Sequence, residues 1–188
     1  MDTPRRITHL VGHAEWGGTA ERTGDVYNPA TGEVTGTVDF ASTALVDEIV
    51  AGAAEAAAQW GQASLARRTQ VLFAFRQLLN DNKERIAAII TAEHGKVLSD
   101  ALGEVTRGLE VAEFACGIPH LLKGGFSENV STGVDSYSIL QPLGVVGVIS
   151  AFNFPVAVWS WNAAVALVCG DTVVWKPSEK AALAADVT

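Results

Sequence analysis

The stretch that most constrains this chain runs from Leu143 to Glu179. It opens with the apolar, β-branched run Val145, Val146, Val148 and Ile149, the length of a strand buried on both faces. Phe152-Asn153-Phe154-Pro155 breaks the run. Pro155 suits the first position of a helix, where its missing N–H leaves no bond unmade. Val156 to Val168 is of helix length and apolar all round, which predicts a buried helix stopped by Gly170. Thr172 to Trp175 is a second β-branched strand, followed by Lys176-Pro177-Ser178-Glu179-Lys180. Strand, helix, strand at this spacing predicts a right-handed parallel crossover. Ligands of open α/β sheets bind beyond the carboxyl ends of the strands, so Asn153 and Lys176 are expected at one crevice. Glu179 stands where such units place an acid against ribose hydroxyls.

Composition narrows the classes. With 188 residues, 48% of them apolar, the chain is long enough for a sizeable core. A net charge of −8 argues against nonspecific nucleic-acid binding, which needs a basic face. Cys116 and Cys169 give neither a disulfide framework nor zinc spacing, and read as buried thiols of a cytoplasmic protein. The first residues lack the apolar core of a signal peptide. Ser136 to Gly170 carries no charge, which raises a membrane-hairpin reading. Asn153, Pro155 and Asn162 interrupt the segment and no close basic cluster flanks it, so no membrane partner is expected.

Upstream, residues 1–38 read as an arm with short strands around an Asn28-Pro29-Ala30-Thr31-Gly32-Glu33 turn. His9 and His13 have the i, i+4 spacing of metal ligands, but no third ligand accompanies them. Ser42 or Thr43 caps a helix to about Trp60, with Val46, Ile49, Val50 and Ala53 on its apolar face. Ser64 caps the next, with a stripe of Val71, Leu72, Phe75, Leu78 and Leu79. A third covers Glu84 to His94, with Ile86, Ile89 and Ile90 buried and Gly95 as its stop. A fourth runs from Ser99 to Leu122, disrupted at Gly117 or Pro119. Residues 124–141 alternate around Gly133 as a hairpin.

Phe152-Asn153-Phe154-Pro155 followed by Lys176-Pro177-Ser178-Glu179 resembles the NAD(P)-dependent aldehyde dehydrogenase superfamily. Asn28-Pro-Ala-Thr-Gly-Glu, Glu93-His-Gly-Lys, Ser99-Asp-Ala-Leu-Gly-Glu-Val-Thr-Arg-Gly and Gln141-Pro-Leu-Gly extend the resemblance toward CoA-acylating methylmalonate-semialdehyde dehydrogenases. Trp159 to Lys176 looks more like the aminoadipic-semialdehyde branch. The resemblance implies an α/β chain carrying an incomplete Rossmann-like domain. Its parts are an arm with helices over 1–123, a projecting oligomerisation-type hairpin over 124–142 and a first βαβ unit over 143–188. It also implies NAD as cofactor, CoA as co-substrate of the full-length relative, a small aldehyde substrate and a homo-oligomer.

The resemblance assigns residue roles as well. Asn153 is the oxyanion-binding amide, the alternative being a cap for the following helix. Ile149, Ser150, Ala151 and Phe152 form the crevice floor. Lys176 and Glu179 bind the adenosine ribose with Pro177 and Ser178 beside them, the alternative being a plain strand end and helix start. Lys180 replaces an arginine of the methylmalonate-semialdehyde branch. The charge of Glu179 disfavours a 2′-phosphate, hence NAD over NADP. Arg107 is either a solvated helix arginine or a clamp for a substrate carboxylate, which its planar fork matches. Neither cysteine lies in the family's nucleophile motif, whose cysteine, general-base glutamate and phosphate turn are expected beyond Thr188. The chain is thus read as the front part of such an enzyme, inactive alone, or as a non-catalytic partner of a full-length relative.

Overall fold

The computed structural model describes residues 5–12 and 14–188. The arm forms β1 (Arg5–Ile7), β2 (Leu10–Val11), β3 (Ala14–Glu15), β4 (Arg22–Tyr27) and β5 (Val34–Phe40). β5 is the centre of a three-stranded sheet, parallel to β1 and antiparallel to β4, with Ile7 opposite Val38. The turn between β4 and β5 closes as its sequence predicts. The Asn28 side chain accepts from the Ala30 N–H at 2.9 Å, and Gly32 adopts φ +74°. His13 lies outside the described residues, so the expected pairing with His9 is not described. His9 packs edge-on against Trp16 at 5.5 Å, and no group of metal-ligating side chains forms among the described residues.

Four helices follow: α1 (Thr43–Trp60), α2 (Leu65–Asp81), α3 (Lys83–His94) and α4 (Leu98–Gly117). Ser42 and Ser64 cap the first two, accepting from the backbone N–H three residues on. Gly95 stops α3 in the left-handed region at φ 83°. α4 ends at Gly117 and passes into a single 3-10 turn, Ile118–His120, at Pro119. The middle of the molecule is α4, whose Ala101, Val105, Leu109, Ala112 and Ala115 are buried. Ala101, Val105 and Leu109 pack in one cluster with Leu79, Ile86 and Ile90, and Ala115 in another with Leu72, Ala164 and Val168.

Two apolar faces turn out narrower than their sequence pattern. On α1 the covered line is Leu45, Ile49 and Ala53, while Val46 and Val50 are exposed. On α2, Leu72 and Leu79 are buried, and Val71 and Leu78 face outward. Each helix meets a limited set of neighbours, so only the i, i+4 row at the contact is sealed. β6 (Phe126–Ser131) and β7 (Val134–Tyr137) form the hairpin, with Gly133 at φ 72° and every strand residue exposed.

β8 (Val145–Ile149), α5 (Ala157–Cys169) and β9 (Thr172–Lys176) form the crossover. β8 and β9 are parallel, in register from Val145 opposite Thr172 to Ile149 opposite Lys176. Two corrections arise here. β8 is covered on one face only: Val148 is buried, whereas Gly147 and Ile149 on the other face are open. Regular helix begins at Ala157, two residues after Pro155, and one bond from the Val158 N–H to the Phe154 carbonyl marks an irregular opening turn. The uncharged segment 136–170 divides into strand ends, turn and a 13-residue helix. Among the described residues no helix is long and apolar enough to cross a membrane. After β9 a 3-10 turn, Glu179–Ala181, leads into α6 (Ala182–Asp186).

Candidate functional site

Two buried polar anchors set the start of the crossover strands. Asp171, 5% exposed, accepts the Leu143 and Gly144 N–H groups at 2.5 and 2.9 Å, tying the approach to β8 to the start of β9. The Thr172 hydroxyl donates to the Ala53 carbonyl at 2.9 Å and ties β9 to α1. The parallel register carries this alignment to the other end. There the Ser150 N–H donates to the Lys176 carbonyl at 3.2 Å, and the Trp175 indole N–H to the Ser150 hydroxyl at 2.8 Å. Asn153 and Lys176 therefore leave the same end of the strand pair, as the crossover predicts.

Beyond that end the predicted residues come to the surface. Ile149 is 80% exposed, and Ala151, Phe152 and Asn153 are exposed beside it. Among the described residues the Asn153 side-chain amide has no hydrogen-bond partner. The capping alternative fails: α5 has Val156 at its cap position and no side-chain cap of its own. At the end of β9, the Lys176 ammonium and Glu179 carboxylate lie 3.6 Å apart, with side chains 64% and 44% exposed. Glu179's own backbone N–H, and then Lys176, hold its carboxyl below the usual carboxylate range against a modest burial penalty. An ion pair this exposed is weak and opens readily to another partner. Ser178 caps the following turn, its hydroxyl accepting from the Lys180 N–H at 3.3 Å, with Pro177 half-buried before it.

Ten of the eleven predicted residues lie at or just beyond the ends of β8 and β9; Arg107 is exposed on α4, and among the described residues no hydrogen bond or ion pair engages it. The structure also adds residues that sequence reasoning missed. The Lys96 ammonium donates to Glu104 at 2.7 Å and to the Asn153 carbonyl at 2.7 Å, and sits over the Phe154 ring at 4.4 Å. Glu104, 1% exposed, accepts the Val156 N–H at 3.0 Å. His94 stacks on Phe152 with centroids 5.7 Å apart, and Lys180 approaches the same ring at 5.7 Å. Burial, and then Lys96, push the His94 imidazole below its ordinary value, with Glu104 opposing. Glu93 accepts the Leu183 and Ala184 N–H groups at 2.7 and 2.8 Å. The signal was the Glu93-His94-Gly95-Lys96 run itself, which local structure alone left without a task beyond the Gly95 stop.

A hollow of about 420 Å³ lies elsewhere, between Asn28, Thr35, Arg85, Glu93 and Leu183, and holds none of the predicted site residues. Among the described residues that sheet end is formed by two strands, β8 and β9, which do not enclose a cavity. Neither thiol is placed to act as a nucleophile. Burial pushes both Cys116 and Cys169 up, with Glu113 and Asp171 adding to the effect respectively.

A parallel crossover with polar groups gathered at its carboxyl end defines a dinucleotide-type α/β unit. Residues 16–188 match the aldehyde dehydrogenase family model, and the chain belongs to that family. It is 44% identical over 174 residues to a malonate-semialdehyde dehydrogenase of Pseudomonas aeruginosa, covering 93% of this chain and 35% of the relative. Among solved structures, a methylmalonate-semialdehyde dehydrogenase of Oceanimonas doudoroffii superposes with a TM-score of 0.93 at 42% identity, over 96% of this chain and 37% of that one. A Sinorhizobium meliloti protein, provisionally assigned as a methylmalonate-semialdehyde dehydrogenase and solved with NAD, gives 0.94 at 41%, over 98% and 38%. The chain thus spans a little over a third of the length of these relatives. These names match the branch indicated by the upstream motifs.

Proposed function

We propose that this chain furnishes the adenosine-binding half of the cofactor crevice, and the oxyanion-binding amide, of an NAD-dependent dehydrogenase that converts a small semialdehyde to an acyl-CoA. One observation carries the reading: the register that sets Ile149 opposite Lys176 sends the Asn153 turn and the Lys176–Glu179 pair out of the same end of the sheet. The residues suit the group. A ribose diol offers two donors and two acceptors, and an exposed ammonium and carboxylate 3.6 Å apart offer the complement. Ile149, Ser150, Ala151 and Phe152 line the floor, with Pro177, Ser178 and Lys180 beside the pair. NAD, when bound, supplies the hydride acceptor.

Asn153 has a different task. An aldehyde carbon under attack by a thiolate develops an alkoxide, and a neutral amide held at a fixed place donates to that oxygen without titrating. Its side chain is free to do so among the described residues. Malonate and methylmalonate semialdehydes carry a carboxylate, for which Arg107, exposed and unpaired among the described residues, is the clamp on this reading. The aminoadipate type is the alternative substrate class. The exposed hairpin, with Phe126 at 68% and Tyr137 at 75%, is the surface that joins copies of the full-length enzyme.

Titration of the chain with NAD and NADP, followed by calorimetry, tests the cofactor reading. NAD binds more tightly than NADP. Glu179→Gln narrows that preference by about tenfold, since it removes the charge that repels a 2′-phosphate. Equal affinity of the unaltered chain for both cofactors, or a Glu179→Gln chain with its preference intact, overturns it.

A further inference from the structure

Helix α5 starts without a cap in its own sequence. Its cap position is Val156, which offers no side-chain acceptor. The first N–H groups of a helix need partners, and burial makes an unpaired one costly. The acceptor comes from 52 residues away: Glu104 on α4, 1% exposed, takes the Val156 N–H through Oε1 at 3.0 Å. Its other oxygen, Oε2, takes the Lys96 ammonium at 2.7 Å. The same ammonium donates to the Asn153 carbonyl at 2.7 Å. The Lys96 side chain is 12% exposed and that of Glu104 is 0% exposed, so the pair works where water does not compete. Both ends of the Asn153–Val156 turn are thus held by one ion pair.

We infer that Lys96 and Glu104 are positioning residues for the crevice, a clamp that fixes the Asn153 peptide from behind so that its side chain and the neighbouring floor residues keep their places. Resting on the cofactor reading for its consequence, the clamp itself stands on the hydrogen bonds. Both contacts use the backbone of the turn, which leaves the Asn153 amide unencumbered. His94 adds a second hold by stacking on Phe152, one residue before. Gly95, between these two residues, takes the left-handed conformation that reverses the chain so that neighbours His94 and Lys96 both reach the turn.

The test uses the full chain with Lys96→Met and Glu104→Gln, and Arg68→Met as a control at the opposite end of α5, where Arg68 donates to the Val168 carbonyl. Amide hydrogen exchange at Val156 and Asn153 is read together with NAD affinity. Both clamp variants speed Val156 exchange at least tenfold, leave Val26 and Val38 in the β4–β5 hairpin unchanged, and raise the NAD Kd about tenfold. Arg68→Met lowers the denaturation midpoint and leaves the Kd where it was, which separates positioning from simple loss of stability. Unchanged Val156 exchange in a folded clamp variant overturns the inference, as does a Kd that tracks stability across all three variants. Should both clamp variants fail to fold, the unaltered chain decides. Slow exchange of the Lys96 ammonium protons supports the clamp, and free exchange overturns it. If the unaltered chain binds no NAD, the cofactor reading falls, and Val156 exchange still judges the clamp.

Discussion

Two glycines with nearly the same backbone angle separate the cost of conformation from the cost of contact. Gly170 has φ 103° and Gly144 has φ 113°, both in the region that L side chains rarely adopt. Alanine at either position costs about 1–2 kcal/mol for the left-handed backbone. Their surroundings differ. A Cβ on Gly144 meets nothing within 4 Å, whereas one on Gly170 falls 2.7 Å from Pro142 Cγ and closer still to the Arg68 guanidinium. That guanidinium has no easy retreat. It is 7% exposed and its Nη1 donates to the Val168 carbonyl at 3.0 Å, at the carboxyl end of α5. Moving it aside breaks a bond to a charged donor, worth about 1.5–3 kcal/mol. Gly170→Ala is therefore expected to destabilise the chain by about 3–5 kcal/mol and Gly144→Ala by about 1–2. Urea melts followed by far-UV circular dichroism give both numbers, provided the denaturant slope stays constant. In an Arg68→Met background the cost of Gly170→Ala falls by the part owed to the guanidinium, while the Pro142 contact keeps it above that of Gly144→Ala. Equal losses for the two glycines, or no coupling to Arg68, refute this account of how α5 is joined to β9.

Two further outcomes follow from the site. In a full-length relative, replacing the arginine at the position of Arg107 with alanine raises KM about tenfold for a carboxylated semialdehyde and little for propanal; an equal change for both removes the carboxylate clamp. Cys116 and Cys169, whose thiols burial pushes up, alkylate with iodoacetamide at pH 7 more slowly than glutathione and form no thioester when the chain is given aldehyde and NAD. Mass spectrometry of the intact chain checks both points, and an acyl adduct on either cysteine overturns the prediction that the chain is inactive alone.

The crossover was legible because its signals are local. A β-branched run, a helix-length apolar segment, Gly170 and a second β-branched run fix strand, helix and strand, and the length of the connection makes the pair parallel. Parallel strands share a carboxyl end, so the meeting of Asn153 with Lys176 follows from chain order alone. Helix faces were legible only as broad stripes. Nothing in the pattern of α2 says that Leu72 and Leu79 are covered while Val71 and Leu78 are not, because neighbours make that choice. The single-face burial of β8 has the same origin, since a run of β-branched residues does not state how many layers surround it.

Lys96 and Glu104 were out of reach for another reason. Their partners lie 57 and 52 residues away, and no spacing rule connects a helix glutamate to a distant amide. Yet the need for them was written in the sequence as a gap. Neither Val156 nor Ala181, the cap positions of α5 and α6, can accept a hydrogen bond through its side chain. Orphan donors at a buried helix start must be met by something. In both cases a buried glutamate from the preceding helical layer meets them, Glu104 for α5 and Glu93 for α6. A burial-prone helix that opens on an apolar residue thus announces a distant acceptor, and an otherwise unexplained acid on an apolar helix face is where to look for it. Glu104 thus reaches the helix that follows β8 and Glu93 the helix that follows β9, so each acid ties the segment after one strand of the crossover to the helical layer.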